Sequence, residues 1–241
     1  MSIKTDYTAF FTYLKRPFIF RTSNQKIKLK TFLLLFLLAL IVDFNLDRLS
    51  MNHWLINILN ISDSESQDKE VYKSGFWFAI LTVALLAPTL EEILQRSYLT
   101  SFVWNNCLVP VNISLIGVML FNIRGNMLFI IFGMSLIISR IIFLKLTKND
   151  KIKFHFLKFY AKNYFFYFYL SAISFGCAHI ANYPIGNFIP ILPVLLVLSQ
   201  IFAGLILGYV RVLMGLRWSI CFHAFHNFIF ILILFAKHKG L

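Results

Sequence analysis

Apolar residues in this chain come in long runs separated by short polar breaks, without the alternation of a half-buried strand or the two-sided period of a surface helix. Asn163 to Val210 is 48 residues without one Asp, Glu, Lys or Arg, and Phe102 to Ile123 and Trp218 to Ala236 add 22 and 19 more. A helix needs about 20 apolar residues to cross a hydrocarbon core of about 30 Å. The pattern therefore predicts spans at about 75–102, 108–123, 126–144, 163–182, 188–210 and 217–236. A further apolar run, Thr31 to Val42, has only 12 uncharged residues. It reaches spanning length as a helix from about Ile27 to Leu46 if Lys28 and Lys30 snorkel. The long basic stretch before it and the lack of a small-x-small site after it favour an uncleaved anchor over a signal peptide. The expected fold is an all-α, polytopic membrane bundle of about seven helices, with six to eight as the range. The segment 108–123, broken by Pro110 and polar at Asn112 and Asn122, is the weakest span and could be re-entrant.

Composition agrees with the pattern. The chain is 59% hydrophobic and 14% charged, against roughly 25% charged in a soluble domain. Its net charge of +13 does not point to nucleic acid, because most Lys and Arg lie in two blocks beside apolar segments. One block is Lys4, Lys15, Arg16, Arg21, Lys26, Lys28 and Lys30; the other is Lys145, Lys148, Lys151, Lys153, Lys158 and Lys162. They read as anchors against anionic lipid on the cytoplasmic side, which places the N-terminus inside and the polar segment 47–74 outside. Lys237 and Lys239 then fall outside, a small violation of that rule. Three parts result: a basic cytoplasmic segment 1–30, an anchor helix with a polar outer loop 31–74, and a membrane domain 75–236. Cys107, Cys177 and Cys221 form no CxxC pair, so buried thiols are expected rather than disulfides or a zinc ribbon. The richness in Phe, Ile, Lys and Asn suits an AT-rich bacterial genome, and hence an integral protein of the bacterial cytoplasmic (inner) membrane.

Of ten acidic residues, eight lie in tails, loops or, for Asp43, at a helix end. Glu91 and Glu92 lie well inside a span, where a carboxylate costs several kcal/mol and needs a partner or a task. Glu92 and Arg96 are spaced as an (i, i+4) pair on one helical face. Adjacent residues are about 100° apart on a helix, so the two carboxylates are not expected to face one small site, and Glu91 is the freer one. Pro88 upstream removes a backbone hydrogen bond and can make room for water. His179 stands alone in its uncharged window, while His223, His226 and Asn227 fall on one stripe of an otherwise apolar helix. At 1.5 Å per residue these groups overlap in depth, in the inner half to the middle of the bilayer. A carboxylate and an imidazole there can activate a water, with an asparagine amide and a second imidazole donating to an oxyanion. Glu91, His179 and His223 could instead bind zinc, although no HExxH is present.

Three signatures coincide: Glu91-Glu92-Ile93-Leu94-Gln95-Arg96 fits EExxxR, Phe175-Gly176-Cys177-Ala178-His179 fits FxxxH, and His223-Ala224-Phe225-His226-Asn227 fits HxxxN. Over about Phe76 to Phe230 the chain resembles the CPBP family of CAAX-processing and bacteriocin-processing intramembrane proteases, also called the Abi family. The resemblance implies that Glu91 and His179 activate water, that His223 and Asn227 form the oxyanion site, that Glu92 and Arg96 hold the motif helix, and that Phe175 is structural. It implies a glutamate-type endopeptidase with no cofactor, zinc being the alternative, acting on a membrane-associated peptide or protein in CAAX-type or leader-type processing or self-immunity. His226 lies outside the pattern and is read equally as a support to the site or as packing. Gln95 departs from a frequent Phe, and the 82 residues between Arg96 and His179 exceed the few dozen usual in the family. Two other classes remain open: a proton-coupled transporter using Glu91, His179 and His223, and a non-enzymatic immunity or scaffold protein with Gly204 and Gly208 as a small-residue contact.

Overall fold

The computed structural model describes residues 3–18, 29–48, 65–99, 107–121, 123, 126–183 and 192–239. Most of the polar loop 47–74 and of the turn around Asn182 to Asn187 lies outside the described residues. The elements are α1 (Ile3–Lys15), α2 (Leu29–Arg48), α3 (Glu65–Ser74), α4 (Phe76–Ala79), a π-helical stretch (Ile80–Leu86), α5 (Ala87–Arg96), α6 (Val109–Leu120), α7 (Asn126–Lys148), α8 (Asp150–Lys162), α9 (Tyr164–Ala178), α10 (Leu192–Leu196), α11 (Leu198–Met214) and α12 (Leu216–Lys239). Short 3-10 turns follow α5 at Ser97–Leu99 and α9 at His179–Asn182. No strand occurs among the described residues, and the protein is the all-α membrane bundle that the apolar runs predict.

Phe76–Leu99, Asn126–Lys148, Tyr164–Asn182 and Leu216–His238 are long and apolar enough to cross a membrane. Helices α2, α6 and α11 occupy the other three predicted segments. The 12 residues of α6 reach only about 18 Å, shorter than the hydrocarbon core. Where the helices face lipid they stay apolar: Phe129, Leu136 and Ile137 on α7 and Trp77, Leu81, Leu85 and Leu90 before and on α5 are exposed.

Helices α9 and α11 form the centre. Their close approach depends on glycine: a methyl at Gly204 would stand 3.0 Å from the Ala172 Cα and carbonyl oxygen, and one at Gly208 would stand 3.0 Å from the Phe168 ring. The small-residue pair of the scaffold reading is therefore used inside the chain, as tight packing between its own helices. The basic N-terminal segment is also more than a tail. Phe10 and Tyr13 of α1 are buried, with Tyr13 packed on Phe168 and Tyr209, and Tyr169 donates to the Leu14 carbonyl oxygen at 2.7 Å.

Candidate active site

The helix bearing the EExxxR motif is shaped before its first glutamate. In the π-helical stretch the Ala87 N–H bonds to the Thr82 oxygen, five residues back. The next carbonyl, Val83, would take the N–H of residue 88, which is proline and has none. Asn227 of α12 fills the place, its side-chain amide donating to the Val83 oxygen at 2.9 Å. Pro88 thus produces a π-helical widening, a common mark of functional sites, tied across to the HxxxN helix.

The other end of α5 is held as firmly. A helix end leaves carbonyls without partners, and in an apolar setting each needs a donor. Asn112 donates to Leu94 O at 2.9 Å, Arg211 to Arg96 O at 3.2 Å and to Ser97 O at 3.4 Å, Tyr160 to Tyr98 O at 2.6 Å, and Tyr164 to Leu99 O at 2.9 Å. Ser174 in turn donates to Asn112 Oδ1 at 2.7 Å. Asn112, Tyr160 and Tyr164 belong to the long connection between Arg96 and His179, so part of that extra length holds the motif helix.

Glu92 is fully buried and accepts from three sides: Arg96, as the spacing predicts, the Ser219 hydroxyl, and His223 Nδ1 at 3.2 Å. A carboxylate only accepts, so His223 carries its hydrogen on Nδ1 and the other ring nitrogen, Nε2, is left for other work. That Nε2 lies 3.9 Å from Glu91 Oε2. The two adjacent carboxylates therefore do meet at one group, contrary to the expectation from their 100° separation. Long glutamate side chains reach opposite edges of a single imidazole, whose two nitrogens point in different directions. Glu91 is nonetheless the freer acid. Its side chain is 31% exposed against 0% for Glu92, and its Oε2 is buried without a hydrogen-bond partner.

Phe175 joins the parts. The Arg96 guanidinium lies 4.3 Å over its ring, and its centroid is 4.7 Å from the His179 ring and 5.3 Å from the His223 ring. His179 opens the 3-10 turn after α9, where its Nδ1 donates to the Phe175 oxygen at 2.9 Å, which again leaves Nε2 free to act. His179, His223, His226 and Asn227 line a common cavity of about 740 Å³, with Phe175, Gln200 and Asp43 and with apolar walls from α2, α11 and α12. No residue of 97–174 is among its described lining residues.

Sequence reasoning missed Ser219, Arg211 and Asp43. A polar side chain inside an apolar helix was the available signal for the first two. Asp43 read as a helix end, yet it faces His226 across the cavity wall at 3.3 Å. Among the described residues no three His, Cys, Asp or Glu side chains stand together as metal ligands.

A helical membrane bundle that lines one cavity with His179, His223 and Asn227, and sets Glu91 3.9 Å from His223, has the architecture of an intramembrane enzyme. The family model described as type II CAAX prenyl endopeptidase Rce1-like matches residues 73–229, well over half the chain. The protein belongs to this family of CAAX prenyl proteases, within the CPBP group that its three motifs resemble. No curated protein and no solved structure matches the chain.

Proposed function

We propose that the protein hydrolyses a peptide bond of a membrane-associated, CAAX-type protein or peptide, in the bacterial cytoplasmic membrane, with water activated by Glu91 and His179. The observation that carries this reading is the Oε2 of Glu91, buried without a hydrogen-bond partner and 3.9 Å from His223 Nε2. A buried carboxylate oxygen without a donor is costly, and a bound water satisfies it. Glu91 takes a proton from that water, and His179, fixed with a lone pair on Nε2, accepts the water's second hydrogen bond. The hydroxide adds to the scissile carbonyl carbon. The Asn227 amide hydrogen that is not given to Val83 donates to the oxyanion. The proton on Glu91 then passes to the departing amine nitrogen, the C–N bond breaks, and the new carboxylate forms. No step passes through a metal.

The test is purified protein in detergent with a farnesylated CAAX peptide and a panel of leader peptides, with and without chelator. Cleavage of the prenylated peptide that persists in chelator is expected. Cleavage of leader peptides alone would move the substrate class to bacteriocin-type processing, and loss in chelator restored by zinc would overturn the glutamate mechanism.

A further inference from the structure

Among the described residues the cavity wall holds one formally charged side chain, and it comes from outside the matched region. Helix α2 contributes Ala39, Leu40, Ile41, Asp43, Phe44 and Asn45 to the lining, whereas the family match begins at residue 73. Aromatic contacts fix α2 in place, Phe32 and Phe36 packing on Phe222 with centroids 5.2 and 5.1 Å apart. Asp43 is thereby held at the cavity, its side chain 30% exposed, with Oδ2 3.3 Å from His226 Nε2. The contact is within ion-pair range but is not aligned as a hydrogen bond, and His226 Nε2 is buried with no hydrogen-bond partner. The other described lining residues are apolar side chains, three histidines, and neutral amides.

A carboxylate in a mostly apolar wall acts on a charge brought close to it, because the effective dielectric near a protein surface is below that of water. We propose that Asp43 is a specificity-determining residue: it favours substrates that bring a cationic side chain into the cavity and disfavours those that bring an acidic one. Negative selection of this kind is how a site rejects near-matches that an apolar pocket alone would accept. The inference rests on the proteolytic reading for its consequence, yet it concerns binding and can be measured without turnover.

The experiment uses the full chain in detergent and a series of fluorescein-labelled, farnesylated CAAX peptides identical except for Lys, Gln or Glu moved one position at a time along the peptide. Binding is read by anisotropy and cleavage by mass spectrometry. Wild type is expected to favour Lys over Glu by about tenfold at one position, equivalent to about 1.4 kcal/mol. Asp43→Asn is expected to bring that ratio close to one, and Asp43→Lys to invert it. Because the ratio is taken within each variant, a lower folded fraction cancels. Asp43→Glu, which keeps the charge, should keep the sign of the preference. A ratio unchanged in Asp43→Asn, or no Lys/Glu difference at any position in wild type, overturns the proposal. Charge-selective binding with no cleavage of any peptide would support it while overturning the proteolytic function.

Discussion

Glu91 and Glu92 are adjacent and chemically identical, and their surroundings give them different work. Glu92 has its oxygens filled by Arg96, Ser219 and His223, so it is a structural anion that fixes a guanidinium and an imidazole tautomer. Removing one partner of a buried pair leaves an uncompensated charge, at a cost of about 3–5 kcal/mol. Glu92→Gln is therefore expected to lower the thermal unfolding midpoint in detergent strongly, and Ser219→Ala more mildly, by about 1.5–3 kcal/mol. A Glu92→Gln protein as stable as wild type would show that Arg96 has another counter-charge. The Glu92–Arg96 pair could be read from sequence because (i, i+4) neighbours meet wherever the helix forms. The meeting of both glutamates at His223 could not, because it depends on where α12 lies and on side-chain reach. The contact of Asp43 with His226 is illegible for the same reason: its local position is near a helix end, and only tertiary packing brings it to His226.

At the scale of elements, the motif helix is fastened at both ends by side chains rather than by continued helix. Upstream, the missing N–H of Pro88 is replaced by the Asn227 amide, so the asparagine has a second duty beside the chemistry proposed for it. Downstream, Arg211, Tyr160 and Tyr164 take the exposed carbonyls. Tyr160→Phe is expected to cost about 0.5–1.5 kcal/mol, measured as a lower unfolding midpoint, with no change in pH profile. Gly204→Ala presses a methyl against the Ala172 backbone, which has no rotamer to yield, and overpacking of this kind costs about 1–3 kcal/mol. Wild-type stability in that variant would mean that α9 and α11 can separate freely. Helix positions were legible because apolar runs of spanning length leave few alternatives. The π-helical stretch was not, since Pro88 signals a disturbed ladder without saying whether the helix kinks or widens.

For the whole molecule, the two basic blocks carry the topological information. Tyr13 on α1 packs against Phe168 and Tyr209, and Tyr160 of α8 packs on Tyr164. Helices α1 and α8 thus gather at one end of the bundle, where tyrosines suit a membrane interface. Burial pushes the Tyr13 and Tyr160 phenols well above their ordinary range, so both stay neutral donors. Lys15→Cys and Lys153→Cys are expected to react with a membrane-impermeant maleimide from the same face of sealed vesicles; labelling from opposite faces would refute this arrangement. The docking of α1 was hidden in the sequence by its charges, which suggested a loose basic tail, while the apolar stripe of Phe10 and Tyr13 on the same helix carries the contact.

The account stands or falls on Glu91 as the reacting acid beside a purely structural Glu92. The most direct measurement is turnover of a farnesylated CAAX peptide by purified Glu91→Gln at an unfolding midpoint equal to that of wild type. Loss of a general base predicts a fall of about 10²- to 10⁴-fold. Turnover within a few-fold of wild type would contradict it.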